Sequence, residues 1–445
     1  MRPEPREPDW VRHVLWWHVY PLGFVGAPIR DLADETLTHR LGRIEAWLDH
    51  LVGIGLNGLL LGPVFASESH GYDTIDYFTI DPRLGDEADL LHLIEAAHGR
   101  GIRVLLDGVF NHVGRSHPAF QRVEREGPQS TDAALFRIRS DGWHPGDPVS
   151  VDVFEGHGTL VGLDHTSPAV DDLVVAVMSY WLDRGIDGWR LDAAYAVPPA
   201  FWARVLPRVR RAHPDAWFSG EVIHGDQAAI VEESTMNSLT QYELWQGIWH
   251  GIADRNFFEL AHAITRHVAM LDTFAPTTFV GNHDVTRLAT AVSPRFLPHA
   301  LAVLLTVGGV PCLYAGDEFG YTATKEERVG GDDAVRPEFP GTPPSPADLD
   351  PAAAAALYVT RALVAVRRQH PWLHEASTDV VMVANTTLVL RSATPTQAIV
   401  LALSLEDSPV ALPTAGARRV IAGSGRLVGE TVELDPGGWA VMALD

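Results

Sequence analysis

Short apolar runs alternate with longer amphipathic segments through most of this chain. The short apolar runs include Gly58–Leu61, Gly188–Leu191, Trp217–Gly220 and Val310–Tyr314. Segments with helical periodicity, such as residues 172–182, lie between them. Repeated strand–helix units are typical of a parallel sheet with helices packed on it. Eight such units fit into this part of the chain, and the sequence therefore predicts an α/β fold, a (β/α)8 TIM barrel.

Two stretches break this alternation. Residues 112–164 hold many Gly, Pro, His and Asp residues and little helical periodicity, which predicts an inserted loop domain after the third strand. From residue 372 onward, short β-like runs are separated by turn residues, which predicts a C-terminal antiparallel β-sandwich. The expected domains are a catalytic barrel at residues 10–111 and 165–371, an inserted domain at 112–164 and a sandwich at 372–445.

The charge and cysteine content of the chain limit its partners. Its 34 Lys and Arg residues against 57 Asp and Glu residues give a net charge of −23, which disfavours nucleic acid and anionic membrane surfaces. The single cysteine, Cys312, excludes an intrachain disulfide and a cysteine-based zinc site. The first residues form no secretory signal and no apolar stretch reaches the roughly 20 residues of a spanning helix. We therefore expect a cytoplasmic protein that acts on a small-molecule or oligosaccharide substrate.

Polar side chains follow four of the predicted barrel strands, at the ends where barrel active sites lie. They are Asp107 with Asn111 and His112, then Arg190 with Asp192, then Glu221, and finally Asn282 with His283 and Asp284. Cleavage of an acetal needs one carboxylate as nucleophile or stabiliser and one protonated carboxylic acid for the leaving oxygen. An arginine beside the nucleophile keeps it ionised. These residue types therefore indicate cleavage of a glycosidic bond.

The segments that contain these residues resemble, in order, the four signature regions of the α-amylase family, glycoside hydrolase family 13. They are residues 107–112 (DGVFNH), 188–194 (GWRLDAA), 220–224 (GEVIH) and 279–284 (FVGNHD). Three further segments also resemble that family, at residues 17–21 (WHVYP), 70–77 (HGYDTIDY) and 309–318 (GVPCLYAGDE).

The resemblance implies a retaining double displacement with three catalytic residues. Asp192 would be the nucleophile, Glu221 the general acid and then the general base, and Asp284 the residue that binds sugar hydroxyls and stabilises the transition state. It also implies six substrate-binding residues. Arg190 would orient the nucleophile, His112 and His283 would hydrogen-bond the sugar next to the scissile bond, Tyr72 would stack on that sugar, and Asp332 with Arg336 would line the neighbouring glycone subsite.

Several polar and aromatic residues have two interpretations at this stage. Asp107 is favoured as structural support, while Asn111 is either a calcium ligand or a hydrogen bonder within a loop. Because no partner ligands are identifiable, we expect no metal and no required cofactor. His224 either contacts an acceptor sugar or is a loop residue. Trp143 and Trp245 are either sugar platforms or packing residues, and packing is the commoner role for tryptophan.

The chain also departs from the family pattern. Many α-amylases carry a Lys-His pair shortly after the nucleophile, where this chain has Tyr195 and Ala196, which argues against ordinary long-chain amylase action. Trp189 and residues 220–224 resemble the cyclomaltodextrinase and neopullulanase branch, although the N-terminal domain of that branch is expected to be missing. The fifth signature region, at residues 160–164, is matched only loosely, so the linkage stays open.

Three functional hypotheses follow from the resemblance. The first is hydrolysis of α-1,4 bonds in malto-oligosaccharides or in cyclic and short α-glucans. The alternative is a transglycosylase or isomerase with the same machinery. The remote alternative is a non-catalytic family member, which is disfavoured because all three catalytic carboxylates are present.

Overall fold

Eight parallel strands form the central sheet of the computed structural model, which describes residues 7–30, 36–139 and 143–444. The strands are β1 (Trp16–Val19), β2 (Gly58–Leu61), β3 (Arg103–Gly108), β4 (Gly188–Leu191), β5 (Trp217–Gly220), β6 (Ser238–Leu239), β7 (Thr277–Phe279) and β8 (Val310–Tyr314). Strand β1 pairs with both β2 and β8. The two remaining edges meet through a parallel bridge between Thr240 and Thr277. The sheet is thus a near-closed barrel, and the predicted TIM-barrel fold is confirmed.

Helices follow the strands and cover the outside of the barrel. Their bounds are Gly42–Glu45 and Leu48–Gly53 after β1, Glu87–His98 after β2, Pro168–Leu182 after β3, Pro199–Arg210 after β4, Gln227–Ser234 after β5, Tyr242–Ala253 and Phe257–Leu271 after β6, Leu288–Ala291 and Leu297–Thr306 after β7, and Pro351–Gln369 after β8. Local sequence fixes where several of them begin. Asp86 forms a capping box with Asp89, and the Ser167 hydroxyl accepts a hydrogen bond from the Ala169 N–H.

The helical segment around Trp47 differs from its sequence pattern. The pattern predicts one helix over residues 41–51, but the structure has two short helices that meet at Trp47, whose backbone (φ −98°, ψ −5°) leaves regular helical values. The Trp47 ring packs on Trp17 and Phe24, and its indole N–H donates to the Pro340 carbonyl oxygen at 3.0 Å. The break between the two helices coincides with burial of the Trp47 side chain. The apolar residues of the segment, Leu41, Ile44, Leu48 and Leu51, stay in the core.

Apolar side chains fill the interior of the barrel below its carboxyl-terminal mouth. This group contains Trp16, Leu60, Leu105, Trp217, Phe279, Val310 and Cys312, all buried. The Trp16 and Trp217 rings stack with their centroids 5.7 Å apart. The barrel is therefore a packed core rather than a channel, and polar side chains collect at the mouth above it.

The segment between β3 and the helix Pro168–Leu182 is irregular and carries little secondary structure. It contains the helix Pro118–Glu126 and two small antiparallel sheets, in which His112–Gly114 pairs with Leu160–Gly162 and Ile138–Arg139 pairs with Ser150–Val151. The strand Leu160–Gly162 brings the loosely matched fifth region back to His112 at the barrel mouth. A further hairpin, Phe65–Ser67 with Thr74–Ile80, follows β2 and carries Tyr72 in its turn.

Eight antiparallel strands complete the chain. They are β9 (Ser377–Val383), β10 (Thr387–Ala393), β11 (Ala398–Ser404), β12 (Val410–Pro413), β13 (Arg419–Gly423), β14 (Arg426–Val428), β15 (Thr431–Leu434) and β16 (Trp439–Ala443). They form a five-stranded sheet, β9-β10-β11-β16-β13, and a three-stranded sheet, β12-β15-β14. In β11, Ile399, Leu401 and Leu403 belong to the main core, while Val400 and Ala402 pack with Leu412 and Val432 of the smaller sheet. The predicted C-terminal antiparallel sheets are confirmed.

No helix in the described ranges combines the length and the apolar character needed to cross a bilayer.

Candidate active site

Arg190 lies in β4 near its carboxyl end and contacts three carboxylates. Its Nη1 atom donates to Asp107 Oδ2 at 2.5 Å and to Asp192 Oδ1 at 3.0 Å, and its Nη2 atom lies 2.8 Å from Glu221 Oε1. The parallel register of β3 and β4 places Arg190 directly beside Asp107, so strand pairing sets the closest contact. All four side chains are buried. A single guanidinium therefore holds three carboxylates at the barrel mouth.

Ala193 follows Asp192 directly and has a left-handed backbone conformation (φ 45°, ψ 34°). This region is unfavourable for a residue with a Cβ atom, and such strain persists where the surrounding structure fixes it, often at functional sites. Here the turn directs the Ala193 N–H to Glu221 Oε2 at a distance of 3.0 Å. The strained turn thus ties the carboxylate at the end of β5 to the residue after β4.

Burial governs the ionisation of the carboxylates around Arg190. Burial raises the pKa of Asp192 well above its usual value, the ion pair with Arg190 opposes this rise, and the neighbouring carboxylates Glu221 and Asp107 add to it. Burial also raises the pKa of Asp107 to about 6, against the same ion pair. One guanidinium does not offset the burial of both aspartates, so Asp192 and Asp107 hold protons more strongly than exposed carboxyl groups do.

Tyr72 and His283 connect the two sides of the mouth. The Tyr72 hydroxyl donates to Asp107 Oδ2 at 3.1 Å and hydrogen-bonds His283 Nε2, and the Tyr72 and His283 rings stack with centroids 5.3 Å apart. His283 Nε2 also lies 3.0 Å from Asp284 Oδ2. Burial, assisted by nearby guanidinium groups, holds the pKa of His283 well below its usual value. The ring is therefore neutral at neutral pH, and a proton on Nε2 can be donated to either oxygen.

His112 stands at the start of the inserted segment with both ring nitrogens engaged. Its Nε2 donates to the Tyr72 carbonyl oxygen at 3.0 Å, and its Nδ1 accepts from Asn111 Nδ2 at 3.1 Å. Burial lowers its pKa to about 4, and its ring stacks on Phe154 at 4.7 Å. A hydrogen bond from His112 to a sugar would have to replace one of these contacts, and that role stays a prediction.

Arg336 and Asp332 lie beside Asp284, as the resemblance implies for a glycone subsite. Arg336 donates from Nη2 to Asp284 Oδ1 at 2.6 Å and from Nε to the His283 carbonyl oxygen at 2.9 Å, and it pairs with Asp332. Arg336 is buried, while the Asp284 side chain is 37% exposed. Arg336 therefore orients the one predicted catalytic carboxylate that is open to a ligand.

Tyr242 contacts the predicted catalytic residues, although no sequence motif marks it. Its hydroxyl donates to Glu221 Oε1 at 2.9 Å and accepts from Asn282 Nδ2 at 3.2 Å, and Asn282 Oδ1 accepts from the Asp284 N–H at 2.8 Å. These bonds connect two of the predicted catalytic residues. The preceding strand, β6, has only two residues and no apolar run, so nothing marked a strand end there. An aromatic residue at the start of the next helix was the one available signal.

A cavity of about 720 Å³ lies between the inserted segment and the ends of β4 and β5. Phe154, Glu155, Tyr195, Ala196 and His224 are among its lining residues. The Tyr195 hydroxyl donates to Glu155 Oε1 at 2.8 Å, and the Tyr195 ring lies 6.1 Å from the His224 ring. Tyr195 and Ala196 stand where many α-amylases carry a Lys-His pair. They line the same cavity as His224, which has two interpretations from the sequence.

The other residues with two interpretations fall in different surroundings. Asp107 is fully buried against Arg190, in agreement with the structural interpretation, and the Asn111 amide contacts the His112 ring. The Trp143 indole N–H donates to the Asp147 carbonyl oxygen within its own loop. Trp245 lines a second cavity next to Asp284.

One cluster in residues 7–30, 36–139 and 143–444 brings three His, Asp or Glu side chains close enough to share a metal ion. It contains His39, Asp86 and Asp89 and is partly exposed. Asp86 and Asp89 form the capping box of the helix after β2, and His39 Nδ1 lies 2.5 Å from Asp89 Oδ2. Helix capping therefore accounts for the cluster.

Comparison with known protein families identifies the family of this chain. The α-amylase catalytic-domain family matches residues 38–339, which contain all nine predicted site residues. The chain belongs to the α-amylase family. The resemblance seen in the signature segments is thereby confirmed, and the family is one of glycoside hydrolases.

Several relatives within the family are similar to the chain in sequence. A cyclomaltodextrinase from a Bacillus species is 33% identical over 338 residues, which cover 70% of this chain and 60% of the relative. An intracellular maltogenic amylase from Bacillus subtilis strain 168 is 30% identical over 336 residues, covering 70% of this chain and 56% of the relative. The matched part of the chain thus spans less than two thirds of each relative.

Solved structures extend the likeness of fold over nearly the whole chain. The cyclic α-maltosyl-(1→6)-maltose hydrolase from Arthrobacter globiformis, in complex with that cyclic sugar, has a TM-score of 0.82 at 23% identity. The match covers 98% of this chain and 99% of the other. At this identity the likeness shows a shared fold.

Proposed function

We propose that this protein is a retaining α-glucoside hydrolase that cleaves α-1,4 bonds in malto-oligosaccharides or in cyclic and short α-glucans. The observation that carries the proposal is the contact of one buried guanidinium, Arg190, with both Asp192 and Glu221. Asp284 lies on the other side of the Tyr72–His283 pair. This arrangement supplies a nucleophile, an acid and a stabilising carboxylate around one point.

The reaction begins when Asp192 attacks the anomeric carbon of the sugar bound between it and Asp284. The bond from that carbon to the leaving oxygen breaks, and Glu221 gives its proton to that oxygen, so that a covalent glycosyl-enzyme and a free acceptor sugar form. Glu221 then takes a proton from water, whose oxygen attacks the anomeric carbon and releases Asp192. Two inversions at one carbon retain its configuration.

Side chains alone perform these steps, so the proposed mechanism requires no cofactor. Arg190 favours the ionised form of the Asp192 nucleophile, against the rise in pKa that burial causes. The neutral His283 ring adds a hydrogen-bond donor beside the sugar without adding charge. Asp284 is stabilised as an anion by Arg336 and faces the positive charge that develops on the sugar ring.

The names of the relatives support the substrate class and the cellular location. Cyclomaltodextrinase and maltogenic amylase are names for enzymes of α-glucans, and one relative is called intracellular. We accordingly place this protein inside the cell with an oligosaccharide substrate and no nucleic-acid partner.

A second candidate function is transfer of the glycosyl group to another sugar. The larger cavity is lined by the rings of Phe154 and Tyr195, and Tyr195 with Ala196 stands where many α-amylases carry a Lys-His pair. Aromatic faces bind the apolar side of a sugar, so an acceptor held there would compete with water for the Asp192 intermediate.

The deciding experiment is a product profile with maltose, maltotriose, cyclodextrins and isomalto-oligosaccharides. Hydrolysis of maltotriose with the α-anomer formed first, seen by NMR, supports the main proposal, and products longer than maltotriose support transfer. Asp192→Asn is expected to lose at least about 10³-fold in kcat while it stays folded. Asp183→Asn, at an exposed helix end, is the matched control and keeps wild-type activity. Wild-type activity in Asp192→Asn, or a β-anomer as first product, contradicts the proposal.

A further inference from the structure

A second cavity, of about 370 Å³, opens next to Asp284. Its walls come from the helix Tyr242–Ala253, from the segment after β7 and from the loop after β8, which contributes Lys325 and Glu327. The loop is held in place because the Lys325 N–H donates to Thr286 Oγ1 at 3.1 Å. The volume of this cavity lies in the range of small-molecule sites, about 300–1,000 Å³.

Two tryptophans, Trp245 and Trp249, form the aromatic wall of this cavity. They are four residues apart and therefore share one face of their helix. The hydrophobic core contacts of that helix come from other positions, among them Leu244 and Ile248, which are fully buried while both tryptophans are half-buried. Trp245 is fixed by stacking on Phe279, with centroids 6.1 Å apart. Each tryptophan packs partly against the core and also lines the cavity, so core packing uses only part of each ring.

The polar groups of the cavity fit a neutral ligand better than an ion. Two carboxylates, Asp284 and Glu327, and one ammonium group, Lys325, line it together with apolar residues. The two negative charges disfavour a phosphate or a carboxylate ligand. Large aromatic faces beside a few hydrogen-bonding groups are suited to a pyranose ring, which has apolar C–H faces and a rim of hydroxyls.

The position of the cavity limits which sugar it can hold. In the proposed function, the acceptor part of the substrate lies toward Tyr195 and His224, and the glycone part lies toward Asp332 and Arg336. A linear chain leaves the scissile bond in only those two directions. A third opening that shares Asp284 with the site therefore suits a substituent on the chain rather than its continuation.

We propose that the Trp245–Trp249 cavity binds a glucosyl branch carried by the α-glucan next to the bond that Asp192 attacks. The inference rests on the proposed function and extends it to the selection of branched substrates. The branch would stack on the indole rings, while Lys325 and Glu327 hydrogen-bond its hydroxyls.

The test compares kcat/KM for two substrates with the same main chain, maltotriose and a maltotriose that carries one glucosyl group on a 6-hydroxyl. In Trp249→Ala, the ratio of branched to linear kcat/KM is expected to fall about ten-fold, which corresponds to the loss of about 1.4 kcal/mol of aromatic contact. Trp249→Phe keeps a ring and should restore most of the ratio. Phe258→Ala, an exposed ring on the neighbouring helix, is the control and keeps the wild-type ratio. An unchanged ratio in Trp249→Ala overturns the proposal.

A binding measurement separates this inference from the proposed function. Asp192→Asn is titrated with the branched tetrasaccharide by isothermal calorimetry, with and without Trp249→Ala. A Kd that rises about ten-fold with the second substitution supports the cavity even if wild-type protein cleaves neither sugar. Equal Kd values, or no binding in either protein, overturn the inference regardless of turnover.

Discussion

Tyr242 shows how one hydroxyl group can position the proposed acid/base residue. The hydroxyl donates to Glu221 Oε1, and this bond holds the Glu221 side chain in place. We expect a bell-shaped pH–rate profile, because the proposed mechanism needs one ionised and one protonated carboxyl group.

Removal of that hydroxyl by Tyr242→Phe should lower kcat/KM by about ten-fold or more, because loss of a hydrogen bond to a charged group costs about 1.5 kcal/mol or more. The ring contacts with Trp245 and Phe279 stay in place. Tyr180→Phe removes a comparable hydroxyl-to-carboxylate bond, to Glu87, on an outer helix and should leave kcat/KM unchanged. Wild-type kcat/KM in Tyr242→Phe argues against this role for Tyr242.

Asp107 allows a stability prediction with a defined pH window. Its pKa rises from 3.8 to about 6 in the folded protein because burial disfavours the charge. Folding is therefore penalised as pH rises from about 4 to 6, and the penalty stays constant above that. Asp107→Asn removes the group that titrates in this range, so the loss of unfolding free energy between pH 4 and pH 6 should be smaller in the variant than in wild type.

Urea unfolding at pH 4 and pH 8 checks this prediction, with Asp183→Asn as the exposed control. Activity of Asp107→Asn should fall at both pH values, because Arg190 loses the charge of its closest ion-pair partner. The same change in unfolding free energy between pH 4 and pH 8 in Asp107→Asn and in wild type contradicts the assigned cost of burial.

At the scale of elements, the strands with continuous apolar runs were predicted well, and the two-residue strand β6 was missed. Gly58–Leu61, Gly188–Leu191, Trp217–Gly220 and Val310–Tyr314 have the bounds that the sequence indicates. Strand β6 was missed because two residues carry no periodicity, and its pairing with β5 defines it instead. Elements fixed by long-range pairing leave little local signal.

Strand β11 tests the packing of the C-terminal sheet on the barrel. Leu401 is buried in the main core, and Leu401→Ala should lower the free energy of unfolding by about 2–5 kcal/mol because it leaves a cavity there. Val381→Ala on strand β9, where the side chain is 41% exposed, is the control and should cost less than about 0.5 kcal/mol. Chemical denaturation measures both, and similar losses in the two variants would contradict the observed packing.

At the scale of the whole molecule, the barrel encloses the chain's one cysteine. Cys312 lies in β8, and burial raises the pKa of its thiol to about 12. We expect the folded protein to resist a thiol-reactive dye at pH 8, since the thiolate is the reactive form. In denaturant, one equivalent per chain should react. Labelling of the folded protein at the rate of a small free thiol would contradict the closed, packed interior.

The sequence by itself determined the fold class, the two composition breaks and the set of polar residues at the strand ends. Local periodicity and short motifs carry that information, because strands and their ends leave their pattern in adjacent residues. The roles assigned to Asp192, Glu221 and Asp284 stay predictions that the substitutions above will test.

Only the tertiary structure decided which of these groups touch. Arg190 meets three carboxylates from three strand ends, Tyr242 reaches Glu221 from a helix after an unmarked strand, and Trp245 and Trp249 face a cavity next to Asp284. These contacts join residues far apart in the chain, and burial of the joined charges sets their proton affinities. Distance and dielectric are properties of the folded molecule, and no local pattern of residues encodes them.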